Sequence, residues 1–263
     1  MQSRHRFDCT LFSRYDTLKL RHRVYRFAMG KSNSHPTTQP DRTPLCVTIW
    51  HGHIHPTQRT SMLAQLPLSE QHEFTYRPRR WQSIIARRYL RNLLAQAIGI
   101  DATQLRLMVT SSGKPYLDPN QNPTDQQFSL SHSGNTLVIA LTQGHRIGVD
   151  CEHIKARPIQ AIAAKLFHPD DLDKLTQHPH PTTYFYQLFT AYEARVKALG
   201  SGIWHGKNLE PIGPYLSGKI LQCPHQIHPL ALDTDTDVTA AAIAVSHCLQ
   251  PIDIQLKPLA ALD

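Results

Sequence analysis

The apolar positions along this chain change period several times, and each change marks an element. Leu45–Trp50 (LCVTIW) is rich in β-formers and predicts a strand. Leu68-Ser69-Glu70 opens a polar helix. Over Trp81–Ile98, Ile84, Ile85, Tyr89, Leu93, Leu94 and Ile98 recur at three- and four-residue steps, which predicts a helix ended by Gly99. Its other face carries Arg80, Arg87, Arg88 and Arg91. Period-two or continuous apolar runs predict strands over Leu105–Val109, Phe128–Ser131, Thr136–Thr142 and Ile147–Glu152. Ser111–Pro115 and Ser133-Gly134-Asn135 read as turns between them. Pro158–Phe167 and Pro169–Thr176 predict helices opened by proline. The longest helix spans Thr182–Leu199, with a stripe of Phe185, Leu188, Phe189, Tyr192, Val196 and Leu199 and a stop at Gly200 and Gly202. Thr239–Val245 predicts a last strand that completes the body. The two clusters of strands and helices either side of about residue 144 predict an α+β fold of two halves, 45–144 and 145–250, with 251–263 as a C-terminal tail.

Composition changes this picture mainly at the N-terminus. Residues 1–44 hold nine Lys or Arg against three Asp, and so carry six of the eight net positive charges. Residues 30–44 are polar, with three prolines and no apolar period, and read as a linker behind a basic extension. Met29 makes that extension a candidate upstream lengthening of the reading frame. The basicity therefore belongs to a tail, which argues against nucleic acid as partner. No apolar run approaches the length of a membrane span and no secretory signal is visible, so a cytoplasmic protein without a membrane partner is expected. Five widely spaced cysteines, without a CxxC pair, fit a reducing compartment.

Candidate chemistry gathers in the second half. Asp150 and Glu152 lie two apart in a strand and emerge on one face, with Cys151 on the other. Paired carboxylates facing one way suit a hard cation such as Mg²⁺; taken alone, they are more often only a polar sheet edge. Glu193 and Lys197 share a helix face at i and i+4, as a third ligand with a nearby lysine or as an ordinary surface ion pair. Ser131-His132-Ser133-Gly134 is a polar turn after a strand, with hydroxyls, an imidazole and backbone amides able to grip phosphate. Lys114, between Gly113 and Pro115, can supply a point charge to a phosphate.

The order of these features carries more than any one of them. Gly113-Lys114-Pro115, then Phe128–Gly134 (FSLSHSG), Ile147–Glu152 (IGVDCE) and Phe189–Gly202 (FTAYEARVKALGSG) closely resemble the phosphopantetheinyl transferase superfamily. Length and layout resemble its monomeric surfactin-synthetase-activating (Sfp) type. The resemblance implies a pseudo-twofold pair of α+β halves, with the active site in the cleft between them. It implies transfer of 4'-phosphopantetheine from coenzyme A to a serine of an apo acyl or peptidyl carrier protein, with Mg²⁺ and release of 3',5'-ADP (holo-[acyl-carrier-protein] synthase activity). Such chemistry serves fatty-acid, polyketide or nonribosomal-peptide synthesis. Residue by residue, Asp150, Glu152 and Glu193 match the magnesium-binding acids, and Glu193 the candidate base. Lys197 matches the lysine beside the leaving phosphate. Lys114, Ser131 and His132 match nucleotide-phosphate contacts, with Arg79 or Arg80 near a further basic one. The chain departs from the pattern at Phe189, where the family has tryptophan, and at Tyr192, where it has a lysine that would sit next to the metal site.

Two other readings compete. Seventeen histidines, with His51, His53 and His55 alternating on one strand face, suggest a transition-metal protein. The tail and the arginine face of the 81–98 helix suggest nucleic acid; with no interleaved aromatics, that face reads instead as solvated surface or as coenzyme A contacts, and as a steering surface for acidic carriers.

Overall fold

The computed structural model describes residues 43–75, 81–201, 209–217, 225–232 and 239–259. The basic extension 1–42, Arg79, Arg80 and Gly202 lie outside them. Two sheets form the centre. The first has the order β4-β5-β1-β9, built from β1 (Leu45–His53), β4 (Gln126–Ser133), β5 (Thr136–Gln143) and β9 (Ile252–Pro258). The second has the order β6-β8-β7, built from β6 (Ile147–His153), β7 (His225–Leu230) and β8 (Thr239–Ser246). A small hairpin pairs β2 (Leu107–Val109) with β3 (Pro115–Leu117).

Alternation along the strands explains how these layers stack. On β5, Leu137, Ile139 and Leu141 join Ile85, Leu90 and Leu94 of helix α3 (Trp81–Ile98) in one core. The intervening Val138 and Ala140 join Val47, Ile49, Ile147, Val149, Ala241 and Ile243 in a core between the two sheets. On β8, Ala240, Ala242 and Ala244 instead face Phe185, Leu188 and Val196 of helix α6 (Pro181–Leu199). A strand covered on both faces reads as a continuous apolar run, which is why β5 and β8 stand out in the sequence. The alanines of β8 also keep α6 close to the sheet.

Helices α1 (Arg59–Ala64), α2 (Leu68–Thr75), α4 (Ile159–Leu166), α5 (Pro169–Gln177) and α7 (Gly213–Leu216) surround this centre. The predicted elements all recur, with ends moved by no more than three residues. The periodicity did not show α1, α7, β3 or β7, each short or polar.

Three expectations are corrected. Residues 251–263 are not simply a tail: β9 pairs in parallel with β1, from Leu45↔Ile252 to His51↔Pro258. A strand from after the second half thus completes the sheet of the first. The described arginines of the α3 face are not all solvated either. Arg91 is buried; its Nε and Nη2 donate to Glu70 Oε2 (3.0 Å) and Oε1 (2.8 Å), and its Nη1 donates to Ala102 O (2.6 Å) and Leu105 O (2.8 Å). Arg88 Nε donates to Gln65 Oε1 (2.8 Å) and Arg87 Nη1 to Glu70 Oε1 (3.4 Å), so these cations bind α2 and the turn that precedes it. Finally, His55 leaves the strand after β1, and its Nδ1 accepts from Thr57 N (3.3 Å) as the cap of a short 3-10 turn. His51, His53 and His55 therefore do not form one strand face.

Candidate active site

β4 and β6 are edge strands of different sheets, and their meeting places the chemistry. An edge strand has backbone groups that no ladder satisfies. On β6 they end on side chains. Val149 N donates to Ser129 Oγ (3.0 Å) and His153 N to Ser133 Oγ (3.0 Å). Val149 O accepts from Lys197 Nζ (3.1 Å) and Ile147 O from Lys114 Nζ (3.0 Å). The serines sit at alternate positions of β4, so one face of that strand sets the register of the acid strand.

The middle serine joins the acids. Ser131 Oγ donates to Asp150 Oδ1 (2.7 Å), and Lys197 Nζ donates to the same oxygen (2.8 Å) and to Ser131 Oγ (3.1 Å). Asp150 is buried, and its Oδ2 is enclosed without a hydrogen-bond partner. Glu152 Oε2 accepts from Ser133 Oγ (3.2 Å) and Arg157 Nη2 (3.2 Å). Glu193, one helical turn before Lys197, has its carboxyl pushed up to about 7 by burial first and then by Asp150 and Glu152, with Lys197 pulling the other way. His132 is held below the usual imidazole range by burial and then by Lys197.

Gly148 makes this proximity possible. A Cβ there would lie 1.9 Å from Ala194 O and 2.5 Å from Ala198 N, so α6 lies directly on the backbone of β6. Glycine in a strand interior often marks such an approach. At the helix end, Gly200 adopts φ 70; Gly200 N donates to Lys197 O (3.3 Å) and Ser201 N to Val196 O (3.2 Å), which closes α6 in a Schellman turn. Lys114 Nζ donates to Lys197 O as well (2.6 Å). A cleft of about 270 Å³ opens here, lined by Gly113, Lys114, Phe128, Ser129, Lys197 and Gly200.

Asp150, Glu152, Glu193, Lys197, Ser131, His132 and Lys114 thus gather at one seam. As they stand, no group of three or more His, Cys, Asp or Glu side chains among the described residues is arranged to hold a metal ion. The reason is visible: Asp150 is turned to Lys197, and Glu152 to Arg157. The donor set nevertheless fits a hard cation, because Asp150 Oδ2 is a buried carboxylate oxygen without a partner and the Glu193 carboxyl is pushed up to about 7, by burial and then by the charge of Asp150 and Glu152 that a cation would offset. Tyr192 does not enter the site. It is buried against Phe167, ring centroids 5.9 Å apart, while Phe189 packs on Phe185 at 5.6 Å. Sequence reasoning missed Ser129, Gly148 and Arg157, and it read Ser131–Ser133 as part of a turn where they lie on β4; the alternating serines of FSLSHS and the glycine inside a strand were the available signals.

Fold and site together define a two-lobed α+β transferase. Residues 54–144 match the family model described as 4'-phosphopantetheinyl transferase, N-terminal, and residues 146–218 match that of the 4'-phosphopantetheinyl transferase superfamily. The chain belongs to the 4'-phosphopantetheinyl transferase superfamily. Similar proteins include the 4'-phosphopantetheinyl transferase HetI of Nostoc sp., 26% identical over 67% of this chain and 76% of that one. A 4'-phosphopantetheinyl transferase of Bacillus subtilis is 34% identical over 46% of this chain and 53% of its own length. The 4'-phosphopantetheinyl transferase Sfp of Bacillus subtilis (strain 168) is 29% identical over 43% and 50%. The chain thus spans about half the length of the two Bacillus relatives.

Proposed function

We propose that this chain transfers the 4'-phosphopantetheine group of coenzyme A to a serine of an apo acyl or peptidyl carrier protein. The observation that carries the reading is the convergence of Asp150, Glu152, Glu193 and Lys197 on the seam between the halves, beside the cleft. Asp150, Glu152 and Glu193 would hold Mg²⁺, which when bound neutralises pyrophosphate charge.

The side chains supply the rest. A bound cation would favour the ionised form of the Glu193 carboxyl, and in that form Glu193 takes the proton of the carrier serine. The serine oxygen forms a bond to the phosphorus that bears pantetheine, and the bond from that phosphorus to the bridging oxygen breaks. The departing 3',5'-ADP leaves with the electron pair of that bond. Lys197 holds Asp150 in place and lies on the cleft wall, where its charge opposes the negative charge of the leaving group. Ser131, whose hydroxyl donates to Asp150 Oδ1, and His132 border the same seam. Tyr192 has no part in these steps.

The test is mass spectrometry of apo carrier proteins incubated with the chain, coenzyme A and Mg²⁺. The expected result is a mass gain of one phosphopantetheine on the carrier serine, dependent on Mg²⁺ and absent with Glu193→Gln. Failure to load a panel of acyl and peptidyl carriers would refute the proposal.

A further inference from the structure

Lys114 belongs to the first half, yet its ammonium ends on the backbone of the second. Its Nζ donates to Ile147 O (3.0 Å), the first residue of β6, and to Lys197 O (2.6 Å), in the last turn of α6. The lysine itself is fixed by the hairpin. Gly113 takes φ 86, Gly113 N donates to Thr110 O (2.9 Å), Thr110 N donates to Lys114 O (2.9 Å), and Lys114 N donates to Thr110 Oγ1 (3.0 Å). Two of its three N–H bonds therefore bridge the acid strand and the end of the helix that carries Glu193 and Lys197.

The two acceptors flank the point where Gly148 lets α6 touch β6. Lys197 O has two donors, Gly200 N from its own helix end and Lys114 Nζ from across the seam. A cation at a helix C-terminus is also favoured by the helix dipole. The side chain of Lys197 meanwhile reaches Asp150 at 2.8 Å. A shift of the last turn of α6 would therefore move the ammonium relative to Asp150 directly.

We infer that Lys114 is a positioning residue, a pin that fixes the end of α6 against β6 and so sets Lys197 on Asp150, rather than a ligand of the nucleotide phosphates. The inference rests on the proposed transfer reaction for its kinetic consequence only. The pin itself is a matter of two hydrogen bonds to backbone carbonyls. Burial pushes the Lys114 ammonium down to about 8, with Arg146 and Lys197 adding to the effect, as befits a cation held inside the protein.

Lys114→Met keeps the stem and removes the donors. With a carrier that the wild type loads, kcat should fall about 10- to 100-fold while the KM for coenzyme A stays within about threefold, the pattern of a misplaced catalytic group. Amide hydrogen exchange should quicken at residues 147–149 and 197–201, but not in α3. A KM raised about 10-fold or more with unchanged exchange would mark a substrate ligand and overturn the inference. In the wild-type chain, the ¹⁵N resonance of Lys114 Nζ should stay in place when coenzyme A saturates the protein; a shift that tracks saturation overturns the pin even if the Met variant does not fold. A wild-type chain that loads no carrier refutes the transfer reaction, whereas the exchange comparison still reads the pin.

Discussion

Lys197 and Asp150 are joined at 2.8 Å, and the lysine commits its other two N–H bonds to Ser131 Oγ and Val149 O. A lysine ammonium has three donors and no acceptor, so every one of its bonds is used within the seam. The helix that carries it is thereby tied to the strand that carries the acids. Four side chains satisfy the exposed backbone of that strand, and the site is as much a joint between halves as a pocket.

Asp150→Asn should keep the fold and remove the charge. The amide preserves the shape and can still accept from Ser131 and Lys197. Initial rates of carrier loading should fall by about 100-fold or more, because the carboxylate charge that would hold the cation is lost. Normal loading at saturating Mg²⁺ would sink the assignment of Asp150 to the cation.

Glu193 should tilt stability against pH. Its folded value, raised from 4.5 to about 7, means that between those limits the folded state holds a proton that the unfolded chain has released. Stability from this group therefore falls as pH rises from about 4.5 to 7 and stays lower above that. Denaturant midpoints measured without divalent cations should show this slope, and Glu193→Gln should flatten it. Added Mg²⁺ should stabilise the chain more at pH 8 than at pH 5, since binding to ionised acids opposes the loss.

Gly148→Ala should be costly well beyond its size. The added carbon meets helix backbone at 1.9 and 2.5 Å, which no rotamer can relieve. Overpacking of this kind costs about 1–3 kcal/mol, readable from urea unfolding. It should also separate Lys197 from Asp150, so carrier loading should drop further than the stability loss explains.

Removal of residues 251–263 tests the role of β9. Leu259 is buried in the first core and lies 3.2 Å from where a Cβ of Gly52 would stand, and the strand covers one edge of β1 along seven paired positions. The shortened chain should unfold at lower denaturant and aggregate through the bared edge. Unchanged stability would restore the reading of this segment as a tail.

Arg91 has a separate, stabilising part. Arg91→Met leaves Glu70 without its bidentate partner and two backbone carbonyls without donors; breaking a buried ion pair on one side costs about 3–5 kcal/mol. Thermal unfolding should show the loss, while the salt dependence of carrier loading should not change.

Local pattern by itself determined a good deal of this protein. Continuous apolar runs marked β5 and β8 because each is buried on both faces, and helical periodicity marked α3 and α6. The spacing of Asp150 to Glu152 and of Glu193 to Lys197 put each pair on one face, since strand and helix periods are geometric constants. Order and spacing of the motifs were enough to name the family. Tertiary structure decided what those rules cannot reach. Whether an arginine on a polar stripe meets water or a buried glutamate depends on which helix crosses it, as with Arg91 and Glu70. A run such as IDIQLKP becomes a strand only because β1 offers a free edge more than 190 residues away in sequence. Likewise, the partners of Lys197 come from two strands of different sheets, and Tyr192 turns into the core although it is the neighbour of a site acid. Long-range contact, and not local preference, fixes each of these.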